Sequence, residues 1–168
     1  MKIFLVGFMG SGKTYWGRIW ANQSSFSFID LDEMIETDQQ KTIAGIFDEN
    51  GEEYFRHTEN RILFSLAEKD NCIIACGGGT PCYGSNMQWM NEHGTTVYLS
   101  ASTGYLLKRV LQEKEHRPLL SKIGRAELPF FIQQKLKERE SFYRQAKIIL
   151  PVEELRETTI PQFLIPNS

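Results

Sequence analysis

Short apolar runs alternate along this chain with longer stretches in which apolar residues recur at helical spacing. The runs Lys2–Val6, Phe26–Ile29, Cys72–Cys76, Thr95–Leu99 and Lys147–Leu150 are nearly continuous in apolar character, which predicts strands covered on both faces. The last is bounded by Pro151. Between them, Lys13–Asn22, Thr103–Gln112 and Phe130–Ala146 carry apolar stripes of helical period. Thr42–Asn50 reads as a helix stopped by Gly51, and Glu52–Glu68 as a longer one turning Phe55, Ile62, Leu63 and Leu66 to the core. Strands alternating with helices predict an α/β fold, a parallel sheet with helices on both faces, in a single domain spanning residues 1–168. Pro118 and Gly124 punctuate the polar segment Glu113–Arg125, which is expected to be a mobile loop over the site.

The first strand runs directly into Gly7-Phe8-Met9-Gly10-Ser11-Gly12-Lys13-Thr14, which fits the pattern G-x-x-x-x-G-K-[ST]. A buried strand there delivers backbone N–H groups to phosphate oxygens, and the following helix adds the positive end of its dipole. Gly10 and Gly12 allow close backbone approach, Lys13 reaches the outer phosphates, and Thr14 offers a hydroxyl to the magnesium ion that nucleotide phosphates carry.

Composition narrows the partners. The chain has 168 residues and a net charge of −2, with no basic run or patch interleaved with aromatics, so no nucleic-acid partner is expected. Cys72, Cys76 and Cys82 form no C-x-x-C pair and read as reduced thiols of a cytoplasmic protein. No stretch is long enough to span a bilayer, so no membrane association is expected.

Further candidate chemistry lies at three places. The strand Cys72–Cys76 ends in Gly77-Gly78-Gly79 rather than in a carboxylate, so the acidic groups are sought in Asp30-Leu31-Asp32, at the tip of the second strand. Period-two alternation puts Asp30 and Asp32 on one side if that strand continues; a helix N-cap is the competing reading for either. Glu52, Arg56 and Glu59 share a helical face, as in a surface ion-pair ladder or around a functional arginine, and His57 stands one position off it. The three glycines read either as a tight turn or as a backbone N–H surface on which a small anionic or polyhydroxylated ligand lies flat.

Taken in order, Gly7-x-x-Gly10-x-Gly12-Lys13-Thr14, Asp30-x-Asp32, Phe55-Arg56-x-x-Glu59, Gly77-Gly78-Gly79, Arg117-Pro118-Leu119-Leu120 and Arg139-x-x-x-Tyr143 resemble shikimate kinase across essentially the whole chain. The resemblance implies a single-domain, three-layer α/β/α P-loop kinase with a five-stranded parallel sheet in order 2-3-1-4-5 and a short lid near 113–125. It also implies transfer of the γ-phosphate of ATP, with Mg2+, to the 3-hydroxyl of shikimate on the route to chorismate and the aromatic amino acids, by a monomer.

Position by position, the resemblance assigns Lys13, Asp32 and Arg117 to catalysis. It assigns Gly10, Ser11, Gly12, Lys13, Thr14, Tyr15, Arg109 and Arg117 to ATP, and Thr14 and Asp32 to the metal. Asp32, Arg56, Gly77, Gly78, Gly79 and Arg139 fall to shikimate: two guanidiniums suit its carboxylate and an aspartate its hydroxyls. The adenine is expected near Pro151–Arg156. Thr80-Pro81-Cys82-Tyr83-Gly84 departs from the commoner family pattern, in which a smaller apolar and acidic stretch follows the glycines. Cys82, with no histidine near it in sequence, is not read as a nucleophile. Two other readings compete: another small-molecule kinase of this fold, acting on gluconate or a nucleoside monophosphate, and a nucleotide-binding module without turnover.

Overall fold

A computed structural model describes residues 1–113 and 123–165. Arg117 and most of the expected lid lie outside the described residues. Five parallel strands form one sheet: β1 (Lys2–Val6), β2 (Ser27–Asp30), β3 (Cys72–Ala75), β4 (Thr95–Ser100) and β5 (Ile148–Pro151), in spatial order β2-β3-β1-β4-β5. This is the order that the resemblance implies. Among the described residues six helices connect them: α1 (Lys13–Ser24), α2 (Leu31–Gln39), α3 (Ile43–Ser65), α4 (Asn86–His93), α5 (Thr103–Glu113) and α6 (Leu128–Tyr143). Among the described residues, no helix is long and apolar enough to cross a membrane.

Alternating side chains divide the core into two layers, as the strand pleat requires. Ile3, Leu5, Ile73, Val97 and Leu99 face α1, where they meet Trp16 and Trp20, together with the C-terminal residues Val152 and Leu164. Phe4, Val6, Ile74 and Tyr98 face the other way, onto Ile62 and Leu63 of α3, Met87 and Met90 of α4 and Ile132 of α6. The middle strands β1 and β3 are wholly buried, which is why they read as unbroken apolar runs. The two expected helices around Gly51 are present as one element, α3, with a break at Gly51, whose φ of 81° and ψ of 175° leave the helical region. Thr42 caps it, its hydroxyl accepting from the Gly45 N–H at 3.1 Å.

Two helices depart from the sequence expectation. The second strand does not continue past Asp30; Leu31 opens α2, so Asp30 and Asp32 do not share a strand face. Asp30 is the N-cap, its Oδ1 accepting from the N–H of Asp32 at 3.0 Å and of Glu33 at 3.4 Å. The second departure is α4, a short helix that buries Met87 and Met90.

The sheet's order places the C-terminal ends of β2, β3 and β1 side by side, and each end feeds a loop carrying candidate chemistry. At the opposite end of the sheet, Gly94 leads into β4 against the backbone of β1. A Cβ there would stand 2.6 Å from the Lys2 carbonyl oxygen and 2.9 Å from the Phe4 ring. Gly104, in the first turn of α5, faces open space. Gly94→Ala is therefore expected to lower the unfolding free energy by about 1–3 kcal/mol. Gly104→Ala should raise it by about 0.5–1 kcal/mol. Guanidinium chloride denaturation of the two variants checks both signs.

Candidate active site

The phosphate loop turns tightly as β1 ends. Gly10 and Gly12 adopt φ of 80° and 89°, and the Ser11 N–H donates to the Phe8 carbonyl at 3.2 Å. The Lys13 ammonium folds back over this turn, donating to the carbonyls of Gly7 at 2.8 Å and Phe8 at 2.9 Å. Helix α5 packs on the loop at Gly10, where a Cβ would come within 3.3 Å of the Arg109 Cβ and the Val110 Cγ2. That contact brings Arg109 to the cavity of about 340 Å3 that Lys13, Thr14 and Tyr15 also line. Ser11, by contrast, is wholly buried and does not line it.

Thr14 donates from its hydroxyl to Asp30 Oδ2 at 2.8 Å, while the other oxygen of Asp30 caps α2. One carboxylate thus ties the start of α1 to the start of α2. The sequence carried a signal for it: Asp30-Leu31-Asp32-Glu33 has a capping residue followed three positions later by glutamate. Freed from the cap, Asp32 projects into the cavity floor with Ala75, Cys76 and Gly77. Burial, and then the nearby carboxylates of Asp30 and Glu59, push the Asp32 carboxyl up to about 6, against a partial pull downward from Lys13. The Cys76 thiol beneath it is raised by burial and lies 3.6 Å from the Met90 sulfur, a packing group rather than a reactive one.

The glycine triplet lies along this floor, and each residue has a different side chain where its own Cβ would stand. At Gly77 the position is 3.0 Å from Thr80 Oγ1 and 3.1 Å from Asp32 Oδ1, at Gly78 it is 3.3 Å from Arg139 Nη1, and at Gly79 it overlaps the Arg56 guanidinium. None of the three has positive φ, so glycine is required here by space and not by backbone dihedral. The turn and the backbone surface, the two readings of this triplet, are both present. The Thr80 N–H closes onto the Gly77 carbonyl at 3.1 Å, and the N–H groups of Gly78 and Gly79 have no acceptor among the described residues.

Arg56 and Arg139 line a second cavity, of about 680 Å3, shared with Gly79, Cys82 and Tyr83. Arg56 is 14% exposed and pairs with Glu59 at 2.8 Å and, more loosely, with the exposed Glu52 at 3.7 Å. Because Glu59 is fully buried, this is not a surface ladder. Its other oxygen accepts from the Thr80 hydroxyl at 2.6 Å, and Asn86 holds the Thr80 carbonyl at 2.9 Å. The unusual Thr80 is therefore built into the support of Arg56. His57 points away, 68% exposed beside Glu53. Arg139 lies over the Phe8 ring at 5.8 Å, joining α6 to the phosphate loop. Of the segment Pro151–Arg156, no residue lines the phosphate cavity; Glu157 just beyond it accepts from the Tyr15 hydroxyl, which is raised by that bond.

Most of the expected site residues are thus gathered around two adjoining cavities, with Ser11 behind the loop. Sequence reasoning held the N-cap that Asp30 forms and the Arg56–Glu59 pair as competing readings, and did not give Thr80 the supporting position it holds.

Comparison with known proteins adds an independent line. The family model described as shikimate kinase matches residues 9–164. A shikimate kinase from Azobacteroides pseudotrichonymphae is 42% identical over 99% of this chain and 98% of its own length. The solved shikimate kinase from Bacteroides thetaiotaomicron superimposes with a TM-score of 0.89 at 42% identity, over 93% of this chain and 89% of that one. One from Acinetobacter baumannii, solved in complex with shikimate, gives 0.81 at 33% identity over 89% and 82%. With a phosphate loop of kinase pattern, the expected sheet order and these matches over nearly its whole length, the chain belongs to the shikimate kinase family of ATP-using kinases.

Proposed function

We propose that residues 1–168 form one catalytic domain that transfers the γ-phosphate of ATP to the 3-hydroxyl of shikimate. The observation that carries this reading is the glycine bed with a carboxylate at one end and two guanidiniums along it, directly beside the phosphate loop. A small ligand bearing hydroxyls and a carboxylate matches that order of charges. In this proposal Arg56 and Arg139 hold the carboxylate, the Gly78 and Gly79 N–H groups support the ligand, and Asp32 receives or orients the reacting hydroxyl.

Lys13 and the loop N–H groups hold the transferring phosphates, with Tyr15 and Arg109 on the nucleotide side. Arg117, outside the described residues, is assigned from the sequence resemblance to neutralising phosphate charge. The hydroxyl of Thr14 and the carboxylate of Asp30 in contact at 2.8 Å are hard oxygen donors next to that loop and fit Mg2+. Asp32, the carboxylate expected to join Thr14, lines the same cavity. When bound, the ion supplies charge stabilisation to the phosphates. Phosphoryl transfer asks the protein chiefly for positioning and charge, so the Asp32 carboxylate contributes by fixing the acceptor oxygen as much as by taking its proton.

The decisive experiment is ADP release from magnesium-ATP with shikimate, gluconate, nucleoside monophosphates or no acceptor. Release with shikimate alone is expected; release with another acceptor overturns the substrate, and tight ATP binding without acceptor-dependent release overturns the kinase reading.

Asp32→Asn should lower kcat by about 10²–10³-fold. The same variant should be more stable. The Asp32 carboxyl is raised from 3.8 to about 6 in the folded protein, so its charged form opposes folding above pH 6. That penalty fades as pH falls and is gone below the unfolded value. Thermal or chemical unfolding should show Asp32→Asn ahead by about 1–2 kcal/mol at pH 7.5 and level with the parent near pH 3.5. An advantage independent of pH would contradict the raised carboxyl.

Gly79→Ala tests the acceptor bed: the new Cβ overlaps the Arg56 guanidinium and must push it off the buried Glu59, so a lower unfolding temperature is expected beside the kinetic effect. It should raise KM for shikimate about tenfold and leave KM for ATP within about twofold. Initial-rate kinetics in both substrates separate the two.

A further inference from the structure

Tyr143 closes the motif Arg139-x-x-x-Tyr143, and nothing in the reaction outlined above uses it. Its ring is fully buried against Tyr98, with centroids 5.1 Å apart. Its hydroxyl donates to the Gly78 carbonyl at 2.6 Å across 65 residues of sequence. Arg139, one helical turn earlier, lies against the same hydroxyl. A tyrosine whose only role was filling space would not need to end on the backbone of the glycine bed.

The Gly78–Gly79 peptide is trans, as are all peptides described here. Its C=O and N–H therefore point in opposite directions. A hydroxyl that holds the Gly78 oxygen on one side consequently presents the Gly79 N–H on the other, where it finds no acceptor among the described residues. A peptide between two glycines has no side chain to bias its rotation, so its orientation must be imposed from outside. On the reading that shikimate is the acceptor, we infer that Tyr143 is a positioning residue: it fixes the Gly78–Gly79 peptide with the Gly79 N–H toward the bound acceptor and Arg139 beside it.

The proposal separates the hydroxyl from the ring. Tyr143→Phe removes one oxygen and keeps the packing; Tyr98→Phe removes a hydroxyl from the same aromatic pair without touching the bed. For Tyr143→Phe, KM for shikimate is expected to rise about tenfold, with KM for ATP and ATPase activity without acceptor within about twofold of the parent. Tyr98→Phe should behave like the parent in all of these. Isothermal titration of shikimate into each protein supplies a binding readout independent of turnover.

An unchanged shikimate KM in Tyr143→Phe overturns the inference. Equal losses toward ATP and shikimate, or the same loss in Tyr98→Phe, also overturn it, because they mark general loosening of α6 against the sheet. If Tyr143→Phe proves too unstable to assay at 25 °C, shikimate titration at 10 °C decides by the same criterion. The parent's own turnover with shikimate tests the acceptor reading separately, so failure of one is distinguishable from failure of the other.

Discussion

The site is organised by exclusion of volume. Three successive residues after β3 lack side chains, and the space left above them is filled by Asp32 from α2, Arg139 from α6 and Arg56 from α3. Each comes from a different element, so the bed is the one surface on which their positions are defined relative to one another. A Cβ there crowds polar and charged groups rather than methyl groups, and at Gly79 it overlaps the Arg56 guanidinium. The remaining structure follows from bringing those helices within reach: the sheet order sets β3 between β1 and β2, and the tight end of β1 supplies the phosphate loop on the adjoining side.

Charges of this density need support, and the structure supplies it from buried polar groups. Glu59 is fully buried yet satisfied on both oxygens, by Arg56 and by Thr80. A half-satisfied arrangement would cost several kcal/mol, since a buried charge without its partner retains its desolvation penalty. Arg56 is thereby held in one orientation before any acceptor arrives. Asp32 is treated in the opposite way. Among the described residues it lies beside other carboxylates with no comparable partner, and its carboxyl is raised. On the proposed reading, the difference is that between a group that holds a ligand and a group at the reacting centre, where stability is commonly given up for function.

How much of this was legible depended on whether the signal was local. The strands β1 and β3 were readable because burial on both faces leaves an unbroken apolar run, and the phosphate loop because its residues are contiguous. The start of α2 stayed one of two readings for a physical reason: Asp30 ends a strand and caps a helix in one residue, so Asp-x-Asp fits strand alternation as well as an N-cap. Short α4 offered too few turns for its period to show. The clustering of Arg56, Arg139 and the glycines is set by strand order and could be proposed from resemblance alone. The pairing of Glu59 with Arg56 was readable from their spacing, but the hold of Thr80 on Glu59 was not, because a hydroxyl that meets a carboxylate 21 residues away leaves no pattern in sequence.

Lys13 carries a consequence of another kind. Its ammonium is already held by two carbonyls of the loop it serves. A free lysine on the surface samples many rotamers and loses about 2 kcal/mol of conformational entropy when a ligand fixes it. Here that ordering has taken place during folding, so the cost falls on the stability of the chain and not on the affinity for nucleotide. The cationic end of the cavity is thus a standing property of the folded protein, present before the anion that it attracts.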